Sequence, residues 1–328
     1  MLRLLIRVVL LACVRGAELL VGSDTAAGLS LARWDFATNA TSPLGSPLAG
    51  LQSSPNLAAT LLLSNNTWAL APYETATTDR LIQFSVQSGK LSGVSVALGP
   101  EERCFLLYVI NNGADGEIRC LSEVVSGVHT NTALRTIDRT SGAKRLLASV
   151  LPDFSPSGPA AHDAASGVVR ALYFYSPTTK EIPQGTYLVA LSDVTAATVS
   201  TSLVAADLRV LQIAQGNGRT FAIAMVGTGS VFAGTLDGAT ATFTPLPESP
   251  DFSKSFTTIQ STTSLTVGGG TLWFSLWKES ATAAAADGPP TYTPWLLGVD
   301  NTTGASVYEA GGGSGTNLDF SYLQWSSE

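Results

Sequence analysis

The chain has little charge. Asp, Glu, Lys and Arg make up 13% of its 328 residues, about half the usual share, so the side chains that normally cover exposed helix faces are missing. Histidine is scarcer still. His129 and His162 stand 33 positions apart, and with no matching Ser or Cys motif they assemble no catalytic triad. Nor does any stretch reach the ~18 apolar residues that cross a bilayer as a helix, which excludes membrane insertion by that route. What is abundant is apolar residues, at 45%, together with Ser, Thr, Ala and Gly. That is the composition of strands and turns.

The N-terminus has the pattern of a secretory signal over residues 1–16. Arg3 and Arg7 form a basic segment, 8–14 a short apolar one, and 14–16 a cleavage site; Leu10-Leu11-Ala12-Cys13 also fits a bacterial lipobox, over a very short apolar stretch. Residues 17–328 then form one domain. Cleavage removes three of the 18 basic residues, leaving 15 against 25 acidic ones and a net charge of −10. A chain so acidic has no electrostatic route to nucleic acid or anionic lipid. Cys13 leaves with the signal, and Cys104 and Cys120 remain as a pair suited to a disulfide in an oxidising compartment. Three N-glycosylation acceptors (Asn39, Asn65 and Asn301) agree with that compartment. The expectation is a secreted, extracellular glycoprotein.

A repeat organises the rest. Between 209 and 245, four short β-runs are joined by three tight turns, at 216–218, 227–229 and 237–239. These are the Gly, Asn and Asp turns of a four-stranded meander, whose strands are lettered A to D. The C–D turn recurs at 35–38, 87–89, 138–142, 193–195, 237–238 and 300–304. Markers at Thr38, Ser88, Ser141, Thr195, Gly238 and Thr303 lie 50, 53, 54, 43 and 65 residues apart, a period of about 50. B strands follow at 58–63, 116–121, 168–175, 220–226 and 271–277. Four antiparallel strands per unit at this period predict an all-β propeller. The start offers B, C and D strands (19–21, 29–34, 41–44) with no A strand, and the end offers one spare strand at 318–325. Joining them closes the ring at six blades, or at seven if a long connection hides a degenerate unit, and removes the open sheet edge.

The endings of the C strands, with Asp or Ser followed by Thr-Gly or Ser-Gly, resemble those of the NHL, lactonase-like and quinoprotein-type propellers. Trp34-Asp35 stands where WD40 repeats carry their pair, but it occurs once. Kelch-like glycines occur only at 268–270. The resemblance implies the fold and leaves activity open.

In a propeller the B–C and D–A connections share one face. Here the long ones are read as B–C loops at 65–79, 176–185 and 278–294 and D–A links at 151–162 and 246–256. They carry Trp68, Tyr73, Phe154, Phe252 and Tyr292, with Glu74, Asp153, Glu248 and Asp251. These aromatics either cover blade edges or form a surface for a protein or glycan partner. The lactonase-like resemblance implies a second reading, a metal-dependent lactone or ester hydrolase with its site in the central channel. Asp163 and Asp319, with Glu101 and Glu102, are the carboxylates at inner-strand ends. His162-Asp163 is read as preceding an inner strand. Residues 111–117 are rich in oxygen ligands, as a calcium loop is, but lack the terminal Glu of an EF-hand, and read as the tip of a hairpin that sets Cys104 opposite Cys120. A binding module without cofactor is the primary expectation, with calcium as the metal of the alternative.

Overall fold

The computed structural model describes residues 17–52, 59–63, 66–75, 78–99, 101–110, 116–126, 129–150, 154–175, 183–254, 265–279, 292–311 and 322–327. Blade 1 joins β1 (Ala17–Thr25), β2 (Gly28–Asp35) and β3 (Ala40–Pro43) to β25 (Tyr322–Ser327) in the order β25-β1-β2-β3. Blade 2 holds β4 (Thr60–Leu63), β5 (Thr67–Leu70), β7 (Thr78–Ser85) and β8 (Lys90–Ala97), with a short β6 (Tyr73–Thr75) added against β7. Blade 3 is β9 (Glu102–Tyr108), β10 (Glu117–Ser126), β11 (His129–Asp138) and β12 (Lys144–Val150). Blade 4 is β13 (Phe154–Asp163), β14 (Val168–Tyr175), β15 (Gly185–Ser192) and β16 (Thr198–Leu203). Blade 5 is β17 (Leu208–Gly216), β18 (Arg219–Val226), β19 (Ser230–Leu236) and β20 (Phe243–Pro245). Blade 6 is β21 (Leu265–Gly268), β22 (Thr271–Glu279), β23 (Tyr292–Asp300) and β24 (Ser306–Gly311).

The first strand of each blade is innermost, and these strands touch in the ring order β25, β4, β9, β13, β17, β21 and back to β25. Six apolar clusters form the core, one between each pair of neighbouring blades. This is a six-bladed β-propeller. The terminal strand closes it as expected, with Leu19 opposite Trp325 and Val21 opposite Leu323. Middle strands are packed on both faces and read as continuous apolar runs, as in Phe221, Ala222, Ile223 and Ala224. Outer strands face solvent on one side, so β16 alternates down to Val199 and Leu203, both exposed.

Two strand assignments shift. Residues 58–63 were expected as a B strand, but Thr60–Leu63 is the inner strand of blade 2. The chain reverses at Asn66, in the left-handed region at φ 55°, and Thr67–Leu70 becomes the B strand. The stretch read as a link at 151–162 likewise contains an inner strand, Phe154–Asp163.

The C–D turns share one hydrogen-bond pattern, which explains the repeat. The first residue offers a side-chain oxygen to the N–H groups of the third and fourth. Asp138 accepts from Thr140 at 3.0 Å and Ser141 at 2.6 Å; Asp237 accepts from Ala239 and Thr240, both at 2.8 Å; Asp300 accepts from Thr302 at 2.9 Å and Thr303 at 2.7 Å. Asp35 does the same for Ala37 and Thr38. Ser85 and Ser192 supply a hydroxyl to the fourth residue alone, at 3.1 and 3.3 Å. The fifth residue then takes a left-handed conformation: Asn39, Gly89, Gly142, Ala196, Ala241 and Gly304, with φ between 53° and 83°. Short polar side chains favour this geometry because they replace turn hydrogen bonds locally. The pattern corrects two details. The first residue in blade 4 is Ser192, not Asp193, and the marker in blade 5 is Thr240, not Gly238.

Candidate functional site

Strand direction puts the D–A and B–C connections on one face and the A–B and C–D turns on the other. The first face carries 44–59, 71–77, 176–184, 246–264, 280–291 and 312–321. B–C connections are tight in blades 1, 3 and 5, at 26–27, 127–128 and 227–229, and long in blades 2, 4 and 6. The turn face has no connection longer than 109–116.

Beneath the long-connection face, blades 2 and 3 meet over buried carboxyls. Asp79, near the start of β7, has no solvent exposure. Its Oδ2 accepts from the Cys104 N–H at 2.7 Å, while Oδ1 has no partner. Burial pushes this carboxyl up to about 8, against an ordinary value of 3.8, because charge is costly to remove from water. Glu102 opens β9 and is equally buried. It accepts from the Gly99 N–H at 3.0 Å and the Ser122 hydroxyl at 2.5 Å, and Arg135 Nε donates to it at 2.5 Å. Burial also raises Glu123, two residues nearer the face than Leu121. A protonated carboxyl near an ion-paired one is a division of labour seen in acid–base sites. Here neither group reaches solvent, so the pair acts on the joint between blades.

The aromatic residues read as loop positions divide into two sets. Trp68 lies within β5, fully buried, with Nε1 directed at the Thr60 hydroxyl. Phe154 begins β13 at 9% exposure and packs with Tyr175 and Tyr187. Phe252, in a short 3-10 turn, is 3% exposed and meets Phe274 edge-on at 5.2 Å. Apolar rings of this size are drawn into the gaps between blades, and buried rings offer no surface to a partner. Tyr73 lies in β6 and Tyr292 at the start of β23, both on the long-connection face. Glu74 pairs with Arg80 at 2.6 Å. Asp251 accepts from the Val231 and Ser253 N–H groups.

Among the described residues, the carboxylates named as metal candidates do not come together. Asp163 ends β13 instead of preceding an inner strand, and so lies on the turn face. There it accepts from Ser166 Oγ at 2.7 Å and faces Arg170 at 3.5 Å. Glu101 is an exposed turn residue. Asp319, Asp153, Asn65 and 111–115 lie outside the described residues. Cys104 and Cys120 form the disulfide between β9 and β10, with Cα atoms 6.0 Å apart. They are diagonal rather than opposite, because a bulge pairs Cys104 with Ser122 and Cys120 with Leu107.

His162, which the sequence places in no triad, has partners in the fold. Its Nε2 lies 3.0 Å from Asp193 Oδ2, and its ring stacks on Tyr108 at 4.5 Å. Tyr108 Oη donates to the Asp193 carbonyl at 2.8 Å, and burial, then the nearby Asp193 charge, raise its phenol. This group ties blade 3 to blade 4 on the turn face. No sequence pattern signalled it, since its members are 31 and 85 positions apart.

No family model and no curated protein matches the chain. Solved structures match its fold. The periplasmic gluconolactonase of Pseudomonas aeruginosa is similar at a TM-score of 0.52 and 11% identity, over 94% of this chain and 98% of that one. A luciferin-regenerating enzyme matches at TM-score 0.49 and 11% identity, over 79% and 76%. The β-propeller domain of the trilobed protease from Pyrococcus furiosus matches at 0.47 and 11%, over 92% and 78%. At these identities the likeness is one of fold.

Proposed function

We propose that the chain is an exported binding module that engages a protein or glycan through its long-connection face. The observation that supports this is the distribution of connecting chain between the strands: five connections of nine residues or more (44–59, 176–184, 246–264, 280–291 and 312–321) leave toward one face of the ring, whereas none toward the other exceeds the eight of 109–116. Long loops on a rigid scaffold are the usual seat of recognition. The disulfide favours an oxidising compartment, and the signal-like residues 1–16 supply a route to it. With Trp68, Phe154 and Phe252 buried, the contact residues narrow to Tyr73 and Tyr292.

One feature favours a second reading, a lactone or ester hydrolase. The Asp79 carboxyl, which burial pushes up to about 8, lies close to the same face, where an opening of the joint would present an acid. The experiment that separates the two starts from secreted protein after exhaustive dialysis. Its metal content, its turnover of lactones and esters, and its binding to a glycan array and an extracellular-protein panel are measured together. Binding that falls at least tenfold in the Tyr73→Ala/Tyr292→Ala variant, without turnover, supports the module. Stoichiometric calcium with turnover that disappears in Asp79→Asn would overturn it.

A further inference from the structure

The six C–D turns distinguish two N-glycosylation acceptors that look alike in sequence. At the second turn position, the main chain is pulled against the A–B turn: Arg139 N–H donates to Gly116 O at 3.0 Å, Asp193 to Gly167 O at 3.0 Å, and Asn301 to Gly270 O at 2.9 Å. Side chains there are turned inward, with Val86, Asp193 and Asn301 at 6%, 6% and 7% exposure. At the fifth position the chain swings out in the left-handed conformation, which Asn tolerates better than most residues. Asn301 occupies the second position and Asn39 the fifth.

The amides differ accordingly. Asn301 Nδ2 is out of reach of solvent and has no hydrogen-bond partner, while its Oδ1 accepts from Thr302 Oγ1 at 3.3 Å. Asn39 is exposed, and its Oδ1 accepts from Tyr308 Oη at 2.6 Å. Tyr308 in turn accepts from Trp34 Nε1 at 2.9 Å and packs edge-on with Phe36. The oxygen half of the Asn39 amide is therefore held at the seam between blades 6 and 1, and the nitrogen half is the one left over.

We infer that the folded chain carries an N-linked glycan at Asn39 and none at Asn301, which rests on the export reading above. The donor is a lipid-linked oligosaccharide diphosphate. The sugar C1–O bond to the diphosphate breaks, the C1–Nδ2 bond forms, and the amide gives up one proton. Attachment precedes folding, so a chain modified at Asn301 would have to bury a sugar-bearing nitrogen against the A–B turn of blade 6. Such chains fail to fold and are lost from the secreted pool. A glycan at Asn39 also extends from the turn face, leaving the long-connection face clear.

The test expresses the full chain in a eukaryotic secretory host, once with its own N-terminus and once behind a host signal. Glycans are released enzymatically in heavy-oxygen water, and peptides from medium and microsomes are read by mass spectrometry. Expected in the medium are a heavy-oxygen label at Asn39, none at Asn301, one glycan lost in Asn39→Gln, and no mobility change in Asn301→Gln; any labelled Asn301 is confined to the microsomal fraction. An unlabelled Asn39 in protein from either fraction, or a labelled Asn301 in folded, monodisperse protein, overturns the inference. Secretion only behind the host signal, with Asn39 labelled, would sink the export reading and leave the site assignment standing.

Discussion

Among the described carboxyls, Asp79 is the one that burial raises to about 8, which ties the stability of the fold to pH. Its carboxyl titrates near 8 in the folded chain and near 3.9 in an unfolded one. Between those values the unfolded chain is ionised there and the folded chain holds a proton, so stability falls as pH rises. The slope approaches about 1.4 kcal/mol per pH unit. Asn keeps an acceptor for the Cys104 N–H and cannot ionise. Asp79→Asn is therefore expected to raise the urea midpoint at pH 7.5 and to flatten its decline between pH 5 and 8. Equal declines in wild type and variant would show that Asp79 is already charged at neutral pH. No sequence reading singled this residue out: an Asp at a strand entrance looks like any loop-edge carboxylate until blade 3 covers it. Trp68, Phe154 and Phe252 were visible as aromatics but not as buried ones, because burial depends on which blade lies alongside.

The C–D turn is the element where sequence and structure agree best. Its first-position Asp or Ser and its fourth-position Thr or Ser are local signals, and local hydrogen bonds satisfy them, so the repeat was readable without any long-range contact. Strand identity in blade 2 was not readable, since the polar residues 64–66 and a longer stretch at 71–77 both interrupt apolar runs. The turns also set a lower pH limit. Asp35 is held below its ordinary value by the hydroxyl of Thr38 and the N–H of Ala37, Asp138 by the N–H and hydroxyl of Ser141, and Asp237 by the N–H groups of Thr240 and Ala239. Their contribution is present above about pH 4 and is lost as pH falls through the lowered values, opposite in sign to Asp79. At the fifth position Gly304 combines a left-handed φ with close neighbours. A Cβ there would stand 2.6 Å from Leu246 Cβ and 2.8 Å from Ser249 N, at φ 83°. Gly304→Ala is expected to lower stability by about 2–3 kcal/mol, from left-handed strain plus overpacking, as read by chemical denaturation. A loss below ~0.5 kcal/mol would mean that the link after blade 5 gives way freely.

The whole molecule depends on its closure. Blade 1 borrows its inner strand from the far end of the chain, pairing Ala17–Gly22 with Tyr322–Ser327. This was legible early, because three strands at the start lacked a partner that one spare strand at the end could supply. The period of about 50 gave the blade count, whereas the assembly of His162, Tyr108 and Asp193 required the ring itself. Without β25, the inner edge of β1 would lose six paired positions, at about 1 kcal/mol per hydrogen bond, and the buried Leu19, Leu20 and Val21 would gain access to water. A chain ending at Gly311 is thus expected to melt roughly 10 °C lower, since each kcal/mol moves a domain of this size by about 2 °C. Its unpaired edge should also promote self-association, visible by sedimentation. Supplying a peptide of residues 318–328 should restore the sedimentation behaviour of the full-length protein and part of the lost melting temperature. A truncated chain that stays monomeric and melts with the full-length protein would show that five complete blades hold the ring without their closing strand.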